Sequence, residues 1–224
     1  MYQNIRMRCL GRGLFVIFIL FKVTKSQTYE NTQCQFNFIN LTEYEGVTTI
    51  LLSDDDYFGP LLLNGFEMEF YGLHFSSLFI YSNGYLSFVN NTIMRRLSLC
   101  TDQPSLNYSI LLMFDDMNPM NLDRIYFKEF LQCPLDLNKK CAIIAYNNFH
   151  HYAPPGSQGG SAGTWQVVIM EGGNIVLQYL DVGTEGGLFA SAGISGVGSQ
   201  YMLINCRELM SSETAFLLGN QLKG

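Results

Sequence analysis

Two runs of acidic residues suggest chemistry more directly than any other feature of the sequence. They comprise Asp54, Asp55 and Asp56 in one place, and Asp115 and Asp116 in another. Carboxylates in short, oxygen-rich turns are ligands that calcium takes in extracellular β domains. Asp side chains also cap turns by accepting hydrogen bonds from nearby backbone N–H groups, which needs no ion. Neither run fits the helix–loop–helix calcium pattern, so calcium binding and turn capping both stay open.

Paired carboxylates could alternatively hydrolyse glycosidic bonds, if two of them stood roughly 5–10 Å apart in a cleft. Asp115, Asp116, Glu129 and Glu171 are candidates, but their spacing along the chain singles out no pair. Trp165 could offer a sugar a stacking surface, although it alternates with apolar residues as a core side chain does. A carbohydrate-active protein, either lectin-like or a glycoside hydrolase, is therefore the alternative function.

Two further motifs fit their sequence context poorly. Gly159–Gly163 has the G-x-S-x-G spacing, which in hydrolases places a serine on a strand-to-helix turn. Here a proline–glycine loop precedes the motif and a strand is predicted to follow it, so flexible loop residues explain it better.

His150 and His151 are adjacent, and neighbouring residues of a strand point to opposite faces of the sheet. We therefore do not expect them to bind one metal ion.

The composition is that of a folded, acidic domain. The chain has 224 residues, of which 48% are hydrophobic and 14% are charged, so it can bury a core. Its formal net charge is −6, and outside residues 1–26 only eight basic side chains stand against 19 acidic ones. This balance excludes a nucleic-acid binder that relies on a broad basic surface. The hydrophobic content excludes a disordered chain.

Residues 1–26 have the layout of a secretory signal peptide. Three arginines precede the apolar run Leu14–Phe21, and we expect cleavage after Ser26. A membrane anchor is the competing interpretation, but about eight apolar residues fall well short of the roughly 20 that span a bilayer. Three N-x-S/T sequons agree with secretion, and we expect N-glycosylation at Asn40, Asn90 and Asn107. The sequence thus predicts a secreted protein without a transmembrane segment.

Outside the signal segment the chain has five cysteines, an odd number. We expect a disulfide between Cys133 and Cys141, which flank a predicted hairpin loop. Cys34 and Cys206 lie near the two ends of the domain and could join them. That pairing would leave Cys100 over, and the odd thiol would allow a disulfide-linked homodimer. Metal ligation would compete, but no Cys-x-x-Cys spacing supports it.

Alternation of apolar and polar residues, with frequent turn signals, predicts an all-β fold. Phe66–Phe70 alternates strictly, and Asn83-Gly84 separates two apolar runs as a tight hairpin turn does. Around ten short strands at intervals of about 8–12 residues are typical of an antiparallel β-sandwich. We place this sandwich at residues 27–206. We expect a C-terminal tail at residues 207–224, with at most a short helix within 207–218, and a mobile loop at 153–163.

Six segments then occur in a recognisable order. They are Gly65–Gly72, the hairpin Ser82–Phe88, the strand and acidic turn Leu112–Asp116, the strand pair Thr164–Met170 and Gly173–Tyr179, and Ala192–Ile194. In this order they resemble nidogen-like extracellular domains and their relatives in plexin-domain-containing proteins, across residues 60–205. The sequence departs from that pattern at Phe114 and Tyr146, near which those domains tend to have tryptophan.

The resemblance implies an extracellular, non-catalytic module of matrix or cell-surface proteins. We therefore expect a secreted, glycosylated binding or adhesion module whose partner is an extracellular-matrix or cell-surface protein or a glycan. Calcium is the one cofactor that the acidic turns suggest, and nucleic acid is not an expected partner.

Overall fold

The computed structural model describes residues 27–91, 106–119, 123–153, 159–184, 187–188, 190–198 and 200–222. Within these ranges the chain forms 15 β-strands and one short 3-10 helix, Leu41–Glu43. The strands are β1 (Gln27–Gln33), β2 (Thr48–Ile50), β3 (Tyr57–Leu62), β4 (Met68–Phe70), β5 (Leu73–Phe75), β6 (Ser77–Tyr81), β7 (Tyr85–Ser87), β8 (Ser109–Phe114), β9 (Arg124–Phe130), β10 (Cys141–His150), β11 (Ser161–Met170), β12 (Ile175–Asp181), β13 (Ser191–Ser195), β14 (Tyr201–Cys206) and β15 (Thr214–Leu222). The predicted signal peptide and Cys100 lie outside the described residues.

Two antiparallel sheets pack face to face, which confirms the predicted β-sandwich. The seven-stranded sheet has the order β1-β15-β12-β11-β10-β9-β2, and the six-stranded sheet has the order β14-β13-β8-β7-β6-β3. Apolar side chains from both inner faces, such as Leu112 and Ile144, form one core between the sheets. The hairpin of β4 and β5 adds Met68 and Phe70 to this core, and both are fully buried.

A second apolar layer covers the outer face of the seven-stranded sheet. Residues 34–44 cross this face, and we call this segment the strap. Ile39 and Leu41 of the strap pack into one cluster with Val168 and Val176 of the sheet. Oε1 of Gln178 accepts a hydrogen bond from the Asn37 N–H at 2.9 Å. Because both faces of the central strands are covered, these strands are almost continuously apolar instead of alternating.

The C-terminal segment is a strand and not the short helix predicted within residues 207–218. β15 lies between β1 and β12, and Thr214–Leu218 pair with Ile175–Tyr179 in antiparallel register. Pairing on both sides satisfies the backbone N–H and C=O groups of this segment and overrides its local helix propensity. The sandwich therefore extends to residue 222, and the domain boundary expected at residue 206 is wrong.

The connections between antiparallel strands collect at two ends of the sandwich. One end carries the β2–β3 and β6–β7 loops, the residues after β8 and the end of β10, and we call it the acidic end. The other end carries the hairpin loop of residues 131–140 between β9 and β10, and we call it the hairpin end. β10 runs from the hairpin end to the acidic end, and its 10 residues span about 30 Å.

Candidate cation site at the acidic end

Three aspartates from two distant parts of the sequence meet at the acidic end. One carboxylate oxygen from each of Asp54, Asp55 and Asp116 lies within 4.8 Å of the other two. Asp54 and Asp55 stand in the β2–β3 loop, and Asp116 follows β8. Calcium binds 6–8 oxygen ligands at about 2.3–2.6 Å, so oxygens at this spacing could share one ion. The two acidic runs are therefore neighbours in the fold.

Asp56 and Asp115, the other two predicted calcium ligands, do not belong to this group. Asp56 caps its own turn, because its carboxylate accepts hydrogen bonds from the N–H groups of Ser53 at 3.2 Å and Tyr57 at 2.8 Å. Asp115 is 3% exposed, and its Oδ2 lies 3.1 Å from Nδ1 of His151. The sequence left calcium binding and turn capping open for these carboxylates, and Asp56 caps a turn.

The adjacent histidines at the end of β10 contact different carboxylates. Nδ1 of His150 lies 3.1 Å from Oδ1 of Asp123, whereas His151 contacts Asp115. Both carboxylates are buried. This arrangement agrees with the expectation that the two rings point to opposite sides of the strand.

Asn83 joins the two acidic loops, a role that the sequence did not reveal. Its side chain is buried, its Nδ2 donates to Oδ1 of Asp55 at 2.9 Å, and its Oδ1 accepts from the Met117 N–H at 2.8 Å. On the far side of the second loop, the Tyr152 N–H donates to the carbonyl of Asp116 at 2.8 Å. The Asn-Gly pair indicated the hairpin turn correctly, but no local pattern indicates what the amide of this asparagine contacts.

The carboxylates considered for glycoside hydrolysis lie at opposite ends of the sandwich. At the hairpin end, Glu129 accepts a hydrogen bond from the Gly65 N–H at 3.0 Å, and the Glu171 N–H donates to the Lys140 carbonyl at 2.9 Å. The length of β10 places them about 30 Å from Asp115, whereas a hydrolytic pair stands roughly 5–10 Å apart. Neither glutamate therefore pairs with Asp115.

Trp165 and the Gly159–Gly163 motif belong to the folded framework. Trp165 is 0% exposed, and its ring stacks on Tyr146 with the ring centroids 5.6 Å apart, so no sugar can reach it. Ser161 begins β11, and its carbonyl accepts a hydrogen bond from the Thr184 N–H at 3.0 Å. The serine thus lies in a strand and not on a strand-to-helix turn. The loop expected at residues 153–163 ends before this strand, and residues 154–158 lie outside the described residues.

One of the two predicted disulfides is present. Cys133 and Cys141 are bonded across the β9–β10 hairpin, with their Cα atoms 5.2 Å apart. The predicted bond between Cys34 and Cys206 is wrong, because Cys34 is a free thiol and Cys206 belongs to another disulfide. Cys34 continues β1, where its N–H donates to the Ala215 carbonyl, whereas Cys206 ends β14 in the other sheet. Within the described residues, Cys34 is therefore the odd cysteine.

The three sequon asparagines, Asn40, Asn90 and Asn107, are exposed. Asn40 stands on the strap, and its Oδ1 accepts hydrogen bonds from the N–H of Thr42 at 3.3 Å and from its hydroxyl at 2.8 Å. In the third sequon, the buried hydroxyl of Ser109 donates to the Asn107 carbonyl at 3.0 Å. Exposure makes each side chain accessible to a glycan, and glycosylation itself stays a prediction.

Comparison with known proteins gives one family. A family model described as NIDO related matches residues 28–216, from β1 into β15. No curated protein and no solved structure matches the chain. Within the described ranges, no helix is both long enough and apolar enough to cross a membrane. Because the family model covers most of the sequence, the chain belongs to the NIDO-related family of extracellular, non-enzymatic modules of nidogen type.

Proposed function

We propose that this chain is a secreted, N-glycosylated module that binds an extracellular-matrix or cell-surface protein or glycan without turning it over. The observation that carries the proposal is the match to the NIDO-related family over residues 28–216. The signal-peptide layout of residues 1–26 and the exposure of the sequon asparagines support secretion and glycosylation. A rigid sandwich with irregular loops at its ends is a common frame for binding.

Expression of the full chain in a eukaryotic host tests this function in two steps. We expect the medium to contain a chain that has lost about its first 26 residues, as a signal peptide predicts. Its mass should fall when N-glycans are removed enzymatically. The purified protein should then bind saturably to at least one member of a panel of immobilised matrix proteins and glycans. An uncleaved, glycan-free protein inside the cell would contradict secretion, and a panel without saturable binding would contradict the binding role.

We further propose that Asp54, Asp55 and Asp116 bind calcium when the module is folded. The proposal is supported by the convergence of their carboxylate oxygens within 4.8 Å from two separate loops. An ion held there would join the β2–β3 loop to the residues after β8, in parallel with the hydrogen bonds of Asn83. Its role would be to fix the acidic end as a binding surface.

Calcium is expected to raise the melting temperature of the wild type relative to a chelated sample. An ion that binds only the folded state adds about 2.7 kcal/mol of stability at 100 times its Kd. Asp116→Asn should lose most of this gain because it removes one of the three charged ligands. Thermal unfolding followed by circular dichroism measures both, with Glu67→Gln as a control at an exposed carboxylate outside the group. A wild type indifferent to calcium, or equal gains in both variants, would contradict the site.

The free thiol of Cys34 is proposed to link two copies of the chain. The secreted protein should run as a dimer without reductant and as a monomer with it, and Cys34→Ser should be monomeric in both. Burial raises the pKa of the Cys34 thiol, so little thiolate is present at neutral pH. Dimer formation should therefore become faster as the pH rises. A protein that stays monomeric at raised pH, or a dimer that persists in Cys34→Ser, would contradict this assembly.

A further inference from the structure

We propose that Tyr57 is a site of tyrosine sulfation, a modification that leaves a sulfate ester on its phenolic oxygen. Tyr57 directly follows Asp54, Asp55 and Asp56, and no lysine or arginine occurs between residues 27 and 94. The inference rests on the proposed passage through the secretory pathway, where tyrosine sulfation takes place. It goes beyond that function because it names a covalent modification and its position.

The position of Tyr57 in the fold leaves its hydroxyl accessible. It is the first residue of β3, which among the described strands is an edge strand paired with β6 alone. One face of its ring stacks on Tyr81 with the centroids 5.5 Å apart, yet the residue remains 39% exposed. Within the described part of the chain its hydroxyl makes no hydrogen bond. The phenolic oxygen is therefore held at the surface and open to an enzyme.

The carboxylates before Tyr57 supply the electrostatic part of the recognition. A sulfotransferase that acts on tyrosine binds an anionic donor in a basic groove, and such a groove also favours carboxylates beside the acceptor. Asp54 is exposed, so it is the carboxylate that can face a basic groove, whereas Asp55 is half-buried and accepts the hydrogen bond of the Asn83 amide. The carboxylate of Asp56 is occupied with the N–H groups of its own turn, which fixes the backbone immediately before Tyr57.

The co-reactant of the sulfate transfer is an activated sulfate, a phosphoadenylyl sulfate, and with it the atoms and charges balance. The phenolic oxygen of Tyr57 attacks the sulfur atom and forms a new O–S bond. The bond between that sulfur and the bridging oxygen of the phosphosulfate breaks, and the nucleotide leaves as a bisphosphate. The phenolic proton goes to a base of the enzyme. Nothing is oxidised or reduced, and the product carries one additional negative charge.

Tyr44 provides an internal comparison. It is 40% exposed and stands between Glu43 and Glu45, so its sequence context also fits a sulfate acceptor. However, the glycan expected on Asn40, four residues earlier on the strap, would sit beside it. We therefore expect no sulfate on Tyr44.

Metabolic labelling with radioactive sulfate in secreting eukaryotic cells tests the proposal on the full chain. N-glycans, which can themselves carry sulfate, are removed before counting. Wild type and Tyr44→Phe should retain equal label that resists phosphatase and is released by acid, whereas Tyr57→Phe should fall to background. Asp54→Asn should carry less label than wild type, because it removes a recognition charge without changing the size of the side chain.

The outcomes separate this inference from the proposed function. Secreted, glycosylated protein that carries no label, or label that persists in Tyr57→Phe, would overturn sulfation at Tyr57 while leaving the secreted module intact. Unlabelled protein whose Tyr57 peptide loses the mass of a phosphate on phosphatase treatment would overturn it in favour of phosphorylation. Protein retained in the cell without glycans would overturn the proposed secretion and this inference together.

Discussion

Replacing Trp165 by alanine is expected to lower the free energy of unfolding by about 3–5 kcal/mol. The indole is fully buried in β11, with the rings of Tyr146 and Phe149 centred 5.6 and 5.8 Å away. Those rings cannot collapse into the space that alanine leaves, because the Tyr146 hydroxyl is anchored to the carbonyl of Tyr81 at 2.8 Å. A cavity at the centre of the core would remain, and its cost adds to the lost burial.

Urea unfolding followed by circular dichroism measures this loss, since Trp165 is the only tryptophan and its fluorescence disappears in the variant. Leu137→Ala is the control, because Leu137 is 68% exposed on the hairpin loop and should change stability by less than about 0.5 kcal/mol. If Trp165→Ala does not fold, Trp165→Phe should fold with a smaller loss. A near-neutral Trp165→Ala with reduced glycan binding would contradict the buried position and favour a sugar platform.

Strand β4 and the β6–β7 hairpin were predictable because local rules act there without competition. The alternation of Phe66–Phe70 and the Asn-Gly signal at residues 83–84 each predicted an element that the structure contains. The signal for a short helix within residues 207–218 was misleading because a short apolar run fits a helix as well as a strand. What decides between them is the pairing of this segment with β1 and β12, and that pairing is set by sheet order, not by local sequence.

The candidate site was predictable by residue type but not by arrangement. The sequence identified both acidic runs, yet it could not distinguish Asp56, which caps a turn, from Asp54 and Asp55, which meet Asp116. Distance along the chain also misled the pairing of Cys34 with Cys206, since residues near the two ends of a domain can stand in different sheets. Both errors concern long-range contacts, which depend on the order of strands and leave no local periodicity.

Asn83→Ala is expected to destabilise the folded module by about 3 kcal/mol, because it removes both hydrogen bonds that the Asn83 side chain makes to Met117 and Asp55. The Met117 N–H would lose its acceptor, which costs about 1–3 kcal/mol for a buried group. Asp55 would lose a hydrogen bond to its carboxylate, a type of bond that contributes about 1.5–3 kcal/mol. Because Asn83 is the amide bridge between the two acidic loops, the variant should also lose the calcium-dependent gain in melting temperature.

Two companion variants separate the amide bridge from the hairpin turn. Asn64→Ala removes the other asparagine that precedes a glycine; it is exposed, with its amide 3.5 Å from Glu129, and should be nearly neutral. Asn83→Asp keeps the acceptor for Met117 but places a carboxylate beside Asp55. Repulsion between two carboxylates raises their pKa, so this variant should gain stability relative to wild type as the pH falls and one of them becomes protonated. Equal losses in Asn64→Ala and Asn83→Ala, measured by urea unfolding, would show that the turn and not the bridge explains the effect.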